Sequence, residues 1–216
     1  MSSENSAWLD RFEPIGVNCE MGFVLGSLGS QRPSLFRWNS IQPPDLRRLL
    51  DERFDGVLAL ETTAPHGPGM VRDVRFDWCL HSALTGEDGQ FACTGTDLVR
   101  LHRIERAKVL HDAKVFSQRL AEGVICVLQI KAMAPEEMAA VLQAIDRHAG
   151  NEANQLLVVT EPTGEDARPG TVVTVAPRLM QGVVGWVAPW EQADKADYAS
   201  WSQILRSLAP ATEDGA

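Results

Sequence analysis

The chain has 216 residues, 44% hydrophobic and 23% charged, enough for one substantial domain with a buried core. Its formal net charge of −9 argues against general binding to nucleic acid or to an anionic membrane surface. No apolar run approaches the roughly 18 residues of a membrane span, the N-terminus lacks a signal-peptide pattern, and four cysteines without CxxC spacing suit a reducing, cytoplasmic setting.

Residues 1–10 read as a flexible polar tail, 11–208 as a single α/β domain and 209–216 as a second tail. The stretch from Phe12 to Gly29 reads as a short strand, a turn at Gly16 and a helix beginning around Asn18 or Cys19. Met21, Val24, Leu25 and Leu28 recur at helical spacing, and Gly29 stands where a closing glycine belongs. Pro43 and Pro44 introduce a second helix with a Leu46, Leu49, Leu50 stripe. Residues 54–60 suggest a turn and short strand, and 62–70 a breaker-rich loop. From Val71 to Leu84 the alternation is strand-like: Val74, Phe76, Trp78 and Leu80 on one face, Arg75, Asp77, Cys79 and His81 on the other. A hairpin-type turn at 85–90 then implies a small antiparallel insertion near 71–93.

Asp97 is placed to cap a long helix running towards Leu120, with Val109, Ala113, Phe116 and Leu120 on its core face. The run 124–130 is continuously apolar, as in strands buried on both faces. Pro135 opens another helix, Gly150 closes it, and 156–160 is a further buried strand. That strand–helix–strand passage implies a mostly parallel sheet with helices on both faces. The polar loop 161–170 follows at the carboxyl end of a strand, where open sheets of this kind hold ligands. A strand at 171–175, an apolar segment broken by Gly185 and Pro189, and a final helix from about Lys195 to Leu208 complete the chain. In that helix Tyr198, Trp201, Ile204 and Leu205 are expected to pack.

Cys19 is the sharpest chemical feature. A thiol in the first turn of a helix, just past a strand, meets backbone N–H groups that favour its anion and can hold a developing oxyanion. Asn18 fits either an ordinary capping role or donation to that oxyanion. Glu20 opposes the thiolate. Among the five histidines His81 shares a strand face with Asp77 and is the candidate base. Arg37 and Trp38, with Arg100, Arg103 and Arg106, form the candidate anion- or glycan-binding set; the alternative for the arginine helix is a solvated face paired to carboxylates. No metal or cofactor fingerprint is present: HExxH, an EF-hand loop, GxGxxG and GxxxxGK[ST] are all missing.

Ile15-Gly-Val-Asn-Cys-Glu-Met-Gly-Phe23, Leu35-Phe-Arg-Trp38 and Phe54-Asp-Gly56 together resemble a bacterial family of unassigned function designated papain-like cysteine peptidases. The resemblance implies a cysteine hydrolase with Cys19 as nucleophile, Trp38 as a signature residue and His81 as the downstream histidine. Its basic helix corresponds to the region of Arg100, Arg103 and Arg106. The expected function is thus a cysteine-dependent hydrolase or acyltransferase acting on an ester, thioester or amide of a small molecule or peptide. A non-catalytic module for an anionic ligand is the competing class.

Overall fold

The computed structural model describes residues 7–164 and 166–209. Its centre is a five-stranded sheet built from β1 (Phe12–Pro14), β6 (Ile125–Gln129), β7 (Gln155–Thr160), β9 (Leu179–Val183) and β8 (Val172–Ala176), in that spatial order. The first four run parallel, and β8 closes one edge antiparallel to β9. Side chains alternate across this sheet because successive residues of a strand point to opposite faces. Ile125, Val127, Leu157 and Val159 enter one core, and Cys126, Leu128, Leu156 and Val158 the other. Both faces are therefore apolar, which explains the continuous hydrophobic run read from the sequence.

Helix α1 (Glu20–Ser27) and helix α5 (Tyr198–Ser207) cover the first face through Met21, Val24, Leu25, Trp201, Ile204 and Leu205. The opposite face takes α3 (Gly95–Glu122) and α4 (Pro135–Ala149), with α2 (Pro43–Asp51) beyond them. Helix α4 starts and stops as its sequence dictates. Pro135 lies in its first turn, Glu137 accepts from the Ala134 N–H at 3.1 Å, and Gly150 ends it in the left-handed conformation at φ 72°. The expected α/β architecture, mostly parallel with helices on both faces, is the one observed.

The antiparallel part is larger than the sequence suggests and starts earlier. It is a separate four-stranded sheet in the order β2 (Asn39–Ser40), β5 (Trp78–His81), β4 (Met70–Asp73) and β3 (Thr63–Gly67). The alternation from Val71 to Leu84 is not one strand. It folds back through a turn in which Asp77 takes φ 47°, so Val74 is exposed and Trp78 pairs across to Asp73. Two further readings need correction. Residues 54–58 lie in successive turns, with Phe54, Gly56 and Leu58 all at positive φ, Leu60–Thr62 is a 3-10 turn, and the breaker-rich segment contains β3. A bulge between Pro65 and Gly67 reconciles the prolines and glycines with pairing to β4.

Ala7–Arg11 is a 3-10 turn that buries Leu9, within the stretch read from the sequence as a tail. Residues 1–6 and 210–216, also read as tails, lie outside the described residues. Strand β9 was also concealed, since its glycine and glutamine disguise the pattern. Tyr198, expected in the core, is partly exposed.

Glu13 on β1 is buried and holds three segments together. Arg32 Nη1 donates to its Oε2 at 3.0 Å, Arg119 Nε to the same oxygen at 2.6 Å, and Ser34 to Oε1. Removing one side of a buried charge cluster leaves the others uncompensated. Glu13→Ala is expected to lower unfolding free energy by about 3–5 kcal/mol, read as a reduced urea midpoint.

Candidate functional site

A cleft forms where the carboxyl end of the parallel sheet faces the second sheet. Val17 and Asn18 after β1, and Gln129, Ile130 and Lys131 at the end of β6, make one wall. The opposite wall is the outward face of the antiparallel sheet, because Cys79 and His81 alternate with the buried Trp78 and Leu80. Ser40 and Met70, their cross-strand partners, share that face. Residues 187–190 supply the third wall. Two adjoining cavities result, of about 430 and 250 Å³, sharing Asn18, Ser40, Met70 and Trp190.

Cys19 and His81 both line the smaller cavity, together with Phe23, Trp38 and Trp190. Cys19 sits at the cap position immediately before Glu20, without supplying a side-chain cap itself. Burial pushes its thiol above the ordinary value, and no charged or hydrogen-bonding neighbour is resolved as acting on it. The resting side chain is thus a thiol, not a thiolate. Asp77 does not orient His81: it pairs with Arg72 at 2.6 Å.

Asn18 is committed elsewhere. Its Oδ1 accepts the Glu20 N–H and Gln129 Nε2, both at 2.8 Å, while its Nδ2 donates to the Ala188 carbonyl at 2.8 Å. Gln129 Nε2 also reaches the Asn18 carbonyl at 2.9 Å. The oxyanion donation considered for Asn18 therefore gives way to capping and loop attachment. Glu20 completes a closed ring by accepting the Ala188 N–H at 2.9 Å, and Trp201 Nε1 binds its other oxygen at 2.6 Å. Burial lifts the Glu20 carboxyl to about 7, against the two N–H donors that favour its anion.

Arg37 is not a ligand-binding residue. It is 5% exposed, and its guanidinium donates to the carbonyls of Arg32, Ser30 and Gly22. It fastens the loop carrying Trp38 to helix α1. Trp38 itself is 41% exposed, packed edge-on against Phe23 with centroids 5.0 Å apart, and does face the cleft. Gly22 permits this approach, since a Cβ there would stand 2.5 Å from the Arg37 carbonyl oxygen. Arg100 and Arg103 are exposed on α3, with Arg100 3.8 Å from Asp97 on its own helix. They line neither cavity, so the solvated-face reading fits them.

Three residues of the cleft escaped the sequence. Gln129 is the one amide in an otherwise apolar strand, and that anomaly was its only signal. His66 lines the larger cavity beside Cys79, brought there by the β3 bulge. Trp190 is 61% exposed and lines both cavities. His81 and His66 are exposed, whereas the two buried histidines are structural: His148 bridges Leu50 O at 2.9 Å and Ser117 Oγ at 2.8 Å, and His102 contacts Thr63 Oγ1 at 3.3 Å. Among the described residues no group of three or more His, Cys, Asp or Glu side chains gathers as a metal site would. Nor is any described helix long and apolar enough to cross a membrane.

Comparison with protein-family models, curated proteins and solved structures returned no match to this chain.

Glu20 makes stability depend on pH in a definite direction. Its folded value of about 7 exceeds the ordinary 4.5, so the folded state holds a proton that the unfolded chain releases between these limits. Stability from this group is full below pH 4.5 and falls, by on the order of 3 kcal/mol, as pH rises to 7. Glu20→Gln should abolish that slope in urea unfolding between pH 5 and 7; parallel profiles would contradict the assignment. Gly22→Ala is expected to cost about 1–3 kcal/mol through its clash with the Arg37 backbone and to lower the thermal midpoint.

Proposed function

We propose that this chain is a cysteine-dependent hydrolase or acyltransferase with Cys19 as nucleophile and His81 as its base. The supporting observation is that these two side chains, from different layers of the fold, line one cavity at the carboxyl end of a parallel sheet. That is the edge where open α/β sheets place their ligands. The resemblance to bacterial chains designated papain-like cysteine peptidases points the same way. Four unpaired cysteines suit a reducing compartment such as the cytoplasm.

In this reading the Cys19 sulfur bonds to the substrate carbonyl carbon while the thiol proton passes to His81. The leaving group departs with that proton, leaving a thioester at Cys19. Water or a second acceptor then attacks the thioester, gives its proton to His81, and the thiol is restored. Burial keeps the resting thiol protonated, so proton transfer accompanies attack instead of preceding it. With Asn18 engaged and its Oδ1 capping the Glu20 N–H, the other first-turn amides of α1 are the donors left for the oxyanion.

A second reading draws on the exposed aromatic rings of Phe23, Trp38 and Trp190 around the cleft: a binding module without chemistry. Arg37, Arg100 and Arg103 do not serve it, for the reasons above, and Arg106 Nε is spent on the Val57 carbonyl at 2.9 Å. Hydrolysis of an activated thioester separates the two readings. Cys19→Ala is expected to abolish turnover and the acyl adduct detected by mass spectrometry at Cys19. His81→Gln is expected to reduce turnover by about 10²–10⁴-fold. Full turnover in Cys19→Ala excludes the nucleophile. Independently, iodoacetamide labelling of Cys19 should rise with pH to a midpoint above the usual 8.5 or so of a free thiol, while the fully buried Cys126 reacts only on unfolding.

A further inference from the structure

The larger cavity of the cleft, about 430 Å³, has no part in the chemistry assigned to Cys19 and His81. Much of its wall is apolar: Val17, Met70, Ile130, Val187, Pro189 and Trp190. The chain carries 29 acidic against 20 basic residues, yet no Asp or Glu lines this cavity, whereas Lys131 and His66 do. Burial pushes the Cys79 thiol up, so it adds no negative charge. The Asn18 amide is spent on the Ala188 carbonyl, and Gln129 Nε2 on Asn18. Lys131 is thus the permanent charge of the wall.

The fold fixes where that lysine stands. Just past β6, Ile130 donates its N–H to Val159 O at 2.9 Å, and the Lys131 carbonyl accepts the Glu161 N–H at 3.2 Å. Glu161 does not neutralise it, because its Oε1 accepts the Val187 N–H at 3.1 Å. Glu20, behind Ala188, is likewise turned to the Ala188 N–H. Among the described residues Lys131 makes no ion pair. The adjoining Cys19 cavity has the opposite sign: Glu191 and Asp194 line it, with neither Lys nor Arg. An anion in the shared cleft is therefore favoured at the Lys131 end and opposed at the Cys19 end. One permanent cation in a largely apolar wall matches one negative charge, as on a carboxylate.

We propose that the larger cavity holds a chain ending in a carboxylate, which accepts from Lys131 Nζ while the apolar wall packs on the chain. On the reading of Cys19 as nucleophile, on which this step rests, that chain is the acyl part of the substrate. His81 returns its proton to the leaving group and lines the smaller cavity but not the larger. The leaving group accordingly belongs in the smaller cavity and the acyl chain in the larger, with Asn18, Ser40, Met70 and Trp190 common to both. The substrate class is thioesters, esters or amides of short dicarboxylic acids.

The anion site is tested on the full-length Cys19→Ala chain by calorimetric titration with hexanoate. Saturable binding is expected, weakened about tenfold in Lys131→Met and kept in Lys131→Arg. Lys131 is exposed, so both variants should fold. Hexanamide, uncharged, should bind about tenfold more weakly than hexanoate and be indifferent to Lys131→Met. The acyl assignment is tested on the wild-type chain with adipoyl and hexanoyl thioesters of N-acetylcysteamine, equal in length and differing in the terminal carboxylate. A kcat/KM about tenfold higher for the adipoyl compound is expected, and Lys131→Met should erase the difference. The anion site is overturned if hexanamide binds as well as hexanoate, if Lys131→Met leaves hexanoate binding unchanged, or if hexyl phosphate binds more tightly than hexanoate. Equal turnover of the two thioesters overturns the acyl assignment alone. Turnover of neither, with hexanoate still bound through Lys131, refutes the Cys19 reading and the acyl assignment with it, while the anion site stands.

Discussion

The cleft depends on a closed ring of hydrogen bonds through Asn18, Glu20 and Ala188. Asn18 takes the Glu20 amide and gives to the Ala188 carbonyl, while the Ala188 amide gives to the Glu20 carboxylate. Each member satisfies a group that burial would otherwise leave open, and an unsatisfied buried donor or acceptor costs about 1–3 kcal/mol. The ring joins the turn after β1, the first helix and the loop after β9. Gln129 adds the neighbouring strand, and Trp201 adds the last helix. Every backbone segment on the parallel-sheet side of the cleft is therefore referred to one buried carboxylate.

That arrangement has a chemical cost for the adjacent thiol. The same desolvation that lifts the Glu20 carboxyl also raises Cys19, and neither is relieved by a nearby cation. A strongly activated resting nucleophile is thus not what this environment makes. It makes a protected thiol beside an imidazole-lined space, with aromatic rings at the rim and the first turn of α1 beneath. Chemistry in such a site would begin when a substrate displaces water and brings its carbonyl between Cys19 and His81.

The parts of this molecule that could be read from the sequence are those governed by local periodicity and by glycine or proline. Helix α4, with Pro135 at one end and Gly150 at the other, is legible almost to the residue. So is the buried strand β6, whose two-sided burial needs an unbroken apolar run. The first turn of α1 and the place of Cys19 were equally plain. Pairing is different. The turn at Asp77 replaces a continuous strand because of a positive φ that aspartate tolerates but does not announce. Strand β3 hides among prolines and glycines because a bulge at its free edge accommodates them. Candidate site residues followed the same division. Cys19 and His81 were singled out from local pattern and line one cavity, whereas the commitment of Arg37 to three carbonyls, and the meeting of Asn18 with Gln129, are products of tertiary packing.

The partners in the ring are also remote along the chain. Asn18 and Ala188 lie 170 positions apart, and Glu20 and Trp201 181. Contacts of such separation must close nearly the whole chain into a loop before they return any energy. Helices α3 and α4 and the β6–β7 pair can form from nearby sequence, but the first turn of α1 acquires its surroundings only when the final helix docks. The surroundings of the thiol thus rest on contacts of long range. Asn18 and Glu20, on either side of the thiol, find these partners only when segments made some 170 and 181 positions later have docked, so access to Cys19 reports whether those segments are in place.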